Sequence, residues 1–238
     1  MPHTATHTSL PSDAEGYITR ILQRKPPYHV KVLGSEFLIT SLAVYPSGRL
    51  SSCFMRYLLS QDLVAGKMVA EVGVGCFALG ILAAKHGAKA VVGTDISSEA
   101  IACAKFNRVH HGVEQQTTLL EGEGLSPLLP HYEGRIDVLL CGAPWDRISA
   151  AVYQQLPRAR QGISQAFYDI DDRLITALLT RAKTLLAPRD KLFITSAMSK
   201  IGRLEKLCAT HQVAYTIVVE EDIHEDGNMH YILEVSLS

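Results

Sequence analysis

Neither sign of charge prevails in this chain of 238 residues: 23 Lys and Arg stand against 24 Asp and Glu, a formal net charge of −1. It lacks the overall basic field of proteins that hold nucleic acid mainly through phosphates. The small clusters Arg20, Arg24, Lys25, Lys31 and Arg158, Arg160 read as solvated faces. Cysteine is sparse too. Cys53, Cys76, Cys103, Cys141 and Cys208 are scattered, with no Cys-x-x-Cys or Cys/His spacing, which argues against a zinc motif or a disulfide framework and predicts buried free thiols in a reducing compartment. His3 with His7 and His110 with His111 have no carboxylate or thiol cluster beside them, and no metal is expected. Long apolar runs are missing as well. The longest, between Glu71 and Lys85, contains three glycines and is too short to cross a bilayer. No basic stretch followed by an apolar core opens the chain, so no secretory signal is read. These absences predict a cytoplasmic protein without a membrane partner, with nucleic acid disfavoured.

What is present is core material: 47% hydrophobic and 20% charged residues, enough apolar side chain for a folded domain. Residues 1–16, rich in Thr, His, Ser and Pro without periodicity, read as a flexible arm. Residues 17–66 carry a β-hairpin over His29–Thr40, with Val30, Val32, Phe37 and Ile39 on either side of Gly34-Ser35-Glu36. A turn at Pro46-Ser47-Gly48 then leads to a helix bearing Phe54, Leu58 and Leu59. Residues 67–238 read as the ligand-binding core.

Within that core, strand-like and helix-like segments alternate. Strands are predicted at Lys67–Gly73, Ala90–Asp95, Thr117–Gly122, Ile136–Gly142 and Lys191–Ser196. Helices are predicted at Cys76–His86, after the N-cap candidate Ser97, behind Asp169, Asp171 and Asp172, and at Ile201–His211. Ala143–Tyr168, with two prolines, reads as a long connection that shapes a substrate pocket. The last two strands, Ala214–Glu221 and His230–Ser236, are separated by a polar turn at Asp226-Gly227-Asn228 and no helix, so they should pair antiparallel. The pattern predicts an α/β fold: a Rossmann-like, doubly wound sheet of about seven strands with a reversed C-terminal strand, preceded by a short β-hairpin.

Chemistry concentrates where the first core strand meets its helix, at Glu71-Val-Gly73-Val-Gly75-Cys-Phe77. Open α/β sheets bind ligands at that point, and glycines there let the backbone approach closely. Asp95 ends the next strand, where a carboxylate can accept two hydrogen bonds from a ribose diol. Gly73-x-Gly75-x-x-Ala78 with Asp95 also fits a nicotinamide-dinucleotide fingerprint. Three features break the tie: Glu71 two residues before the first glycine, some seventy residues ahead of the motif, and the reversed hairpin at the end of the sheet. On these the chain resembles the class I S-adenosylmethionine-dependent methyltransferases, whose E/D-x-G-x-G acid sits near the amino end of the bound methionine.

The resemblance narrows at the fourth strand. Asp137-Val-Leu-Leu-Cys141-Gly142-Ala143-Pro144-Trp145-Asp146 is similar to the D-x-x-x-x-N-P-P-Y motif of the subfamily that includes the release-factor glutamine N5-methyltransferases. It departs from that motif where the chemistry sits: Gly142 replaces Asn, Ala143 the first Pro, and Trp145 the Tyr. The family's Asn holds the target amide or amine, so methylation by that route is in doubt here. The resemblance implies S-adenosyl-L-methionine as cofactor, held by Glu71, Gly73, Gly75, Phe77, Asp95, Ile96, Gly122, Glu123 and Cys141, with Glu123 facing the adenine amine. Gly142, Trp145 and Asp146 are the catalytic candidates: backbone carbonyls to orient an amine, a ring to stack on a flat acceptor or attract a cation, and a general base. Tyr168, Asp169 and His224 are secondary, and Arg49 reads as a surface ion-pair residue within reach of the cofactor carboxylate.

The expectation is therefore methyl transfer to N or O of a small-molecule acceptor, with a homodimer open. N-methylation of RNA or a protein side chain is the first alternative, and a non-catalytic nucleotide-binding protein the second.

Overall fold

A computed structural model describes residues 12–46, 48–197, 200–222 and 229–237. Helix α1 (Ser12–Leu22) comes first. The arm drawn over residues 1–16 thus lies outside the described residues up to residue 11, and from Ser12 it is corrected to helix. Burial of Ala14, Ile18 and Ile21 at helical spacing supplies the order that composition alone did not reveal. A two-stranded hairpin follows, β1 (Tyr28–Val32) with β2 (Ser35–Ile39). Leu33 and Gly34 between them both have positive φ, 46° and 78°, as a two-residue hairpin turn of the twist-matched kind requires. Helix α2 (Arg49–Ser60) leads into the core.

The core strands are β3 (Met68–Val72), β4 (Ala90–Asp95), β5 (Thr117–Glu121), β6 (Ile136–Cys141), β9 (Leu186–Ala197), β10 (Ala214–Glu221) and β11 (His230–Ser236). They form one sheet in the order β10-β11-β9-β6-β3-β4-β5. All neighbours from β9 to β5 are parallel, and β11 is antiparallel to both β9 and β10. The seven strands and the reversed one agree with the sequence pattern. The turn expected at residues 226–228, and His224, lie outside the described residues.

Both faces of the sheet are covered, which is why its strands read as apolar runs rather than alternating ones. Val69 and Val91 pack with α2, α3 (Ala78–Lys85) and α4 (Ser98–His110), while Ala70, Val72 and Val92 pack with α7 (Arg173–Arg181) and α8 (Ile201–Thr210). Ser97 caps α4 as expected, its Oγ accepting from the Ala100 amide at 3.2 Å. One strand was placed too short. β9 begins at Leu186 rather than Lys191, and its register against β6 slips between Ile136 and Val138. Pro188, with no N–H to donate, falls in that irregular stretch.

The segment read as a long connection is itself built. β7 (Asp146–Ile148) and β8 (Tyr168–Ile170) pair in parallel around α5 (Ala150–Gln155) and α6 (Arg158–Gln165). Ile148, Ile163, Phe167 and Tyr168 join Ala14, Ile18 and Ile21 of α1 and Trp145 in a separate apolar cluster. Two stretches more than a hundred residues apart thus form one cap beside the carboxyl end of the sheet.

Candidate functional site

The strand order reverses at β3, whose neighbours β4 and β6 run off to opposite sides, and ligands of open α/β sheets bind in the crevice outside such a point. Gly73 (φ 77°) and Gly75 (φ 52°) turn the chain there. The Gly73 and Val74 amides donate to the Thr94 carbonyl at 2.8 and 3.1 Å, fixing the turn to β4. Asp95 holds it from the other side: Oδ2 accepts from the Gly75 amide at 3.0 Å and Oδ1 from the Ser97 amide at 2.9 Å. Burial raises the Asp95 carboxyl above its ordinary range, against the pull of those amides.

Glu71 is 4% exposed. Its Oε2 accepts from the Gly80 amide at 2.8 Å, an otherwise orphaned donor in the first turn of α3, whose N-cap Phe77 offers no side-chain acceptor. Burial pushes the Glu71 carboxyl up to about 8; the Gly80 amide opposes this and nearby Asp95 adds to it.

A single cavity of about 420 Å3 joins this corner to the end of β6. Glu71, Gly73, Gly75, Asp95, Ile96 and Glu123 line one part of it, and Gly142 and Trp145 line another. Eight of the twelve residues singled out in the sequence therefore share one space. Ile96, 48% exposed, offers an apolar surface at its edge, and Glu123 sits 3.7 Å from Arg173 in an exposed pair.

The other four do not line it. Phe77 is fully buried, and a Cβ at Gly80 or Gly93 would come within 2.1 Å or 2.8 Å of its ring. It packs under the turn, and those glycines make room for it. Cys141 is buried within the sheet beside Val72. Gly122 faces Pro127, whose Cγ would lie 2.6 Å from an added Cβ. Asp146 is turned away, with Oδ2 2.9 Å from the Lys200 ammonium and Oδ1 accepting from the Arg147 amide. That ion pair, not the cavity, takes up the carboxylate proposed as general base.

Residues far away in sequence hold the loop at 142–146. The Ala143 amide donates to Thr195 Oγ1 at 3.2 Å. Arg203 of α8 lies 3.1 Å from Asp169 Oδ2 and also reaches the Pro144 carbonyl at 3.5 Å. Asp169, 3% exposed and lining the cavity, accepts from the Leu174 and Ile175 amides at 2.9 and 3.0 Å, so it caps α7. The acids ahead of that helix signalled its start; nothing in the sequence marked Arg203 or Thr195. Trp145 is boxed edge-on by Tyr17 and Phe167, at centroid distances of 4.9 and 5.2 Å. Gly142 is open: a Cβ built there meets nothing within 4 Å.

Seven strands in this order, the reversed β11 and a glycine turn at the switch point define the class I S-adenosylmethionine-dependent methyltransferase fold. Comparison with known proteins supports an enzyme of that class. Residues 53–146 match the family model of ribosomal protein L11 methyltransferase (PrmA), rather than the release-factor type suggested by the fourth-strand motif. A ribosomal protein L11 methyltransferase of Aliivibrio salmonicida is 45% identical over 65 residues, 27% of this chain and 22% of that protein. Protein arginine N-methyltransferase 1 of Saccharomyces cerevisiae is 38% identical over 81 residues, 34% of this chain and 22% of that protein. The matches thus span less than a quarter of either relative. Among solved structures, the ribosomal protein L11 methylase of Lactobacillus delbrueckii subsp. bulgaricus superposes with a TM-score of 0.52 at 18% identity, over 77% of this chain and 78% of that one.

These relatives correct the expected partner. They are named for a ribosomal protein and for protein arginine, so the small-molecule acceptor is withdrawn. It rested on near-neutral net charge and the missing Asn, and neither measures the size of an acceptor. No helix among the described residues is long and apolar enough to cross a membrane.

Proposed function

We propose that this chain uses S-adenosyl-L-methionine to methylate a nitrogen on a protein acceptor. The observation that carries the reading is the continuity of one cavity from the Glu71–Asp95 corner to Gly142 and Trp145, which gives a cofactor and an acceptor a common space. The residues present suit the cofactor. Gly73 and Gly75 leave backbone accessible, Asp95 has lone pairs for a ribose diol, and Glu71 is an acid beside which an ammonium would be favoured. Ile96 and Glu123 suit the apolar face and the amine of an adenine. When bound, the cofactor supplies an electrophilic methyl group open to in-line attack by a nucleophile.

What the chain contributes is position. The loop at 142–145 is pinned by Thr195, Arg203 and the Asp146–Lys200 pair, so the carbonyls of Gly142 and Ala143 would be held ready to accept from an amine. With no side chain at Gly142, backbone would stand where the D-x-x-x-x-N-P-P-Y motif has an amide. Trp145 and Tyr45, ring centroids 6.0 Å apart, provide an apolar wall suited to the methylene stem of a long side chain. The names of the relatives support protein over other acceptors.

Two measurements test this. Calorimetry with S-adenosylmethionine and S-adenosylhomocysteine should give micromolar binding, with NADH giving none; binding of NADH alone would overturn the cofactor assignment. Transfer of radiolabelled methyl from the cofactor to a mixture of ribosomal proteins and tRNA should then label protein, and acid hydrolysis of that protein should release the label as an N-methylated amino acid or methylamine. Label in RNA alone would replace the protein acceptor.

A further inference from the structure

A nitrogen that attacks in line turns its lone pair to the methyl carbon, so its N–H bonds have to be taken by acceptors placed to the side. The carboxylates that line the main cavity are committed elsewhere. Glu71 and Asp95 hold the glycine turn, Glu123 pairs with Arg173, and Asp169 caps α7 and pairs with Arg203. Two carboxamides also line the space, Gln154 of α5 and Gln165 at the end of α6. Gln154 is exposed and Gln165 half-buried. Gln161, one turn earlier, gives its amide to the Leu156 carbonyl at 3.0 Å, whereas the Gln165 side chain has no partner among the described residues. Its surroundings place it at the acceptor end. Gly162, on the same helix face, lies so near the loop ahead of Tyr45 that an added Cβ would come 3.0 Å from the Ala43 Cβ. Two residues beyond Gln165, the Phe167 carbonyl accepts from the Asp146 amide at 2.9 Å. The Phe167 ring lies 5.3 Å from that of Tyr45 and 5.2 Å from that of Trp145. α6 is thus pinned on both sides of Gln165, to the wall that carries Tyr45 and to the loop that carries Gly142 and Trp145.

We propose that the Gln165 side chain holds the acceptor nitrogen, its carbonyl accepting one N–H while the backbone at Gly142 and Ala143 takes another. This role rests on the methyltransferase reading above. The acceptor nitrogen forms its bond to carbon as the pair of the broken bond stays on sulfur, and its proton passes to solvent. A neutral amide suits the task better than an acid. A carboxylate in this place would favour the ammonium form of an amine, which has no lone pair to offer.

Two substitutions test it. Gln165→Leu nearly keeps the size of the side chain and removes its carbonyl. In the labelling assay on ribosomal proteins it should cut methyl transfer at least tenfold, with S-adenosylhomocysteine affinity within about twofold of wild type by calorimetry and the thermal midpoint unchanged. Gln165→Glu keeps an acceptor oxygen and adds charge, so its rate relative to wild type should be down about tenfold at pH 7 and recover by pH 9 as the amine gives up its proton. Taking the ratio to wild type at each pH cancels the titration of the charged groups lining the cavity, Glu71, Asp95, Glu123, Asp169 and Arg173. Tyr45, Tyr153 and Tyr168, raised by burial above their ordinary value, stay protonated throughout. Undiminished transfer by Gln165→Leu, or a Gln165→Glu loss that is the same at both pH values, overturns the role. If Gln165→Leu lowers the thermal midpoint, the Gln165→Glu ratio decides. A wild type that labels no protein removes the methyltransferase reading and this role together, so the two failures give different results.

Discussion

Glu71 is a carboxyl group held where ionisation is costly. Burial, more than the neighbouring Asp95, raises it from 4.5 to about 8. Between those two values the folded protein keeps a proton that the unfolded chain has released, so stability falls as pH rises through the window and levels off above it. Urea titrations at pH 5 and pH 8.5 should show the wild type losing stability on the order of 2–4 kcal/mol through this group. Asp95 and Asp169 are raised as well, so the comparison that isolates Glu71 is Glu71→Gln. Its amide carbonyl can still accept from Gly80, and its profile should be flatter than the wild type's; parallel profiles would contradict the assignment. Asp95 makes a different prediction. Removing its carboxylate frees the Gly75 and Ser97 amides along with the ribose contact proposed above, so Asp95→Ala should weaken S-adenosylhomocysteine at least tenfold by calorimetry. Gly142→Asn should do the reverse of damage. A Cβ there meets nothing, so thermal stability should stay within about 0.5 kcal/mol of wild type and cofactor affinity should hold, while any acceptor-dependent rate changes. Residues of this kind were legible because the glycine motif and the strand-end acid are local patterns. Phe77, Cys141 and Gly122 do not line the cavity, because nearness to a motif in sequence does not say which side of the backbone faces it.

Elements are held by contacts whose sequence signals are weaker than those of the elements themselves. Strands β4 and β6 and helix α4 could be read nearly to the residue, since apolar runs, caps and glycine stops are local. What seats α3 against the sheet could not. Gly80 and Gly93, thirteen residues apart, both give way to the Phe77 ring, a three-way fit that no periodicity reports. Gly80→Ala should therefore cost at least about 1–3 kcal/mol, the usual penalty for overpacking, and a backbone shift that moves Glu71 off its Gly80 amide should weaken cofactor binding with it. Phe77→Ala should relieve that clash: in the double variant, Gly80→Ala should cost less than it does alone, as a double-mutant cycle of denaturation midpoints would show. The same reasoning applies at α7. Asp169 accepts two backbone amides and pairs with Arg203, and losing one partner of a buried pair costs about 3–5 kcal/mol. Arg203→Ala, which strands the buried Asp169 carboxylate, belongs in that range; Asp169→Ala leaves Arg203 paired with Asp172 at 2.6 Å and should fall below it.

On the scale of the whole molecule, the cap over the acceptor end is built from both sides of the core: α1 from the start of the chain and the β7–β8 unit from its middle. Ile18 and Ile21 bury against Trp145, Phe167 and Tyr168, and Arg160 of α6 pairs with Glu15 of α1 at 2.5 Å. The glycine turn is held instead from β4, by the Thr94 carbonyl and the Asp95 carboxylate. The two halves of the site should therefore separate under mutation. Ile18→Asp places a charge in an apolar cluster and should detach α1, because an unpaired buried carboxylate costs more than one helix's docking returns. Calorimetry on this variant should give S-adenosylhomocysteine affinity within about twofold of wild type, since the hydrogen bonds that seat Glu71 and Asp95 come from Gly75, Gly80 and Ser97. Tryptophan fluorescence should shift to the red, Trp145 being the sole tryptophan and Tyr17 of α1 lying 4.9 Å from it. Methyl transfer to protein should fall at least tenfold. Should cofactor affinity collapse together with the fluorescence change, the cap and the cofactor corner are one cooperative unit, and the acceptor cannot be recognised by an element that opens independently of the core.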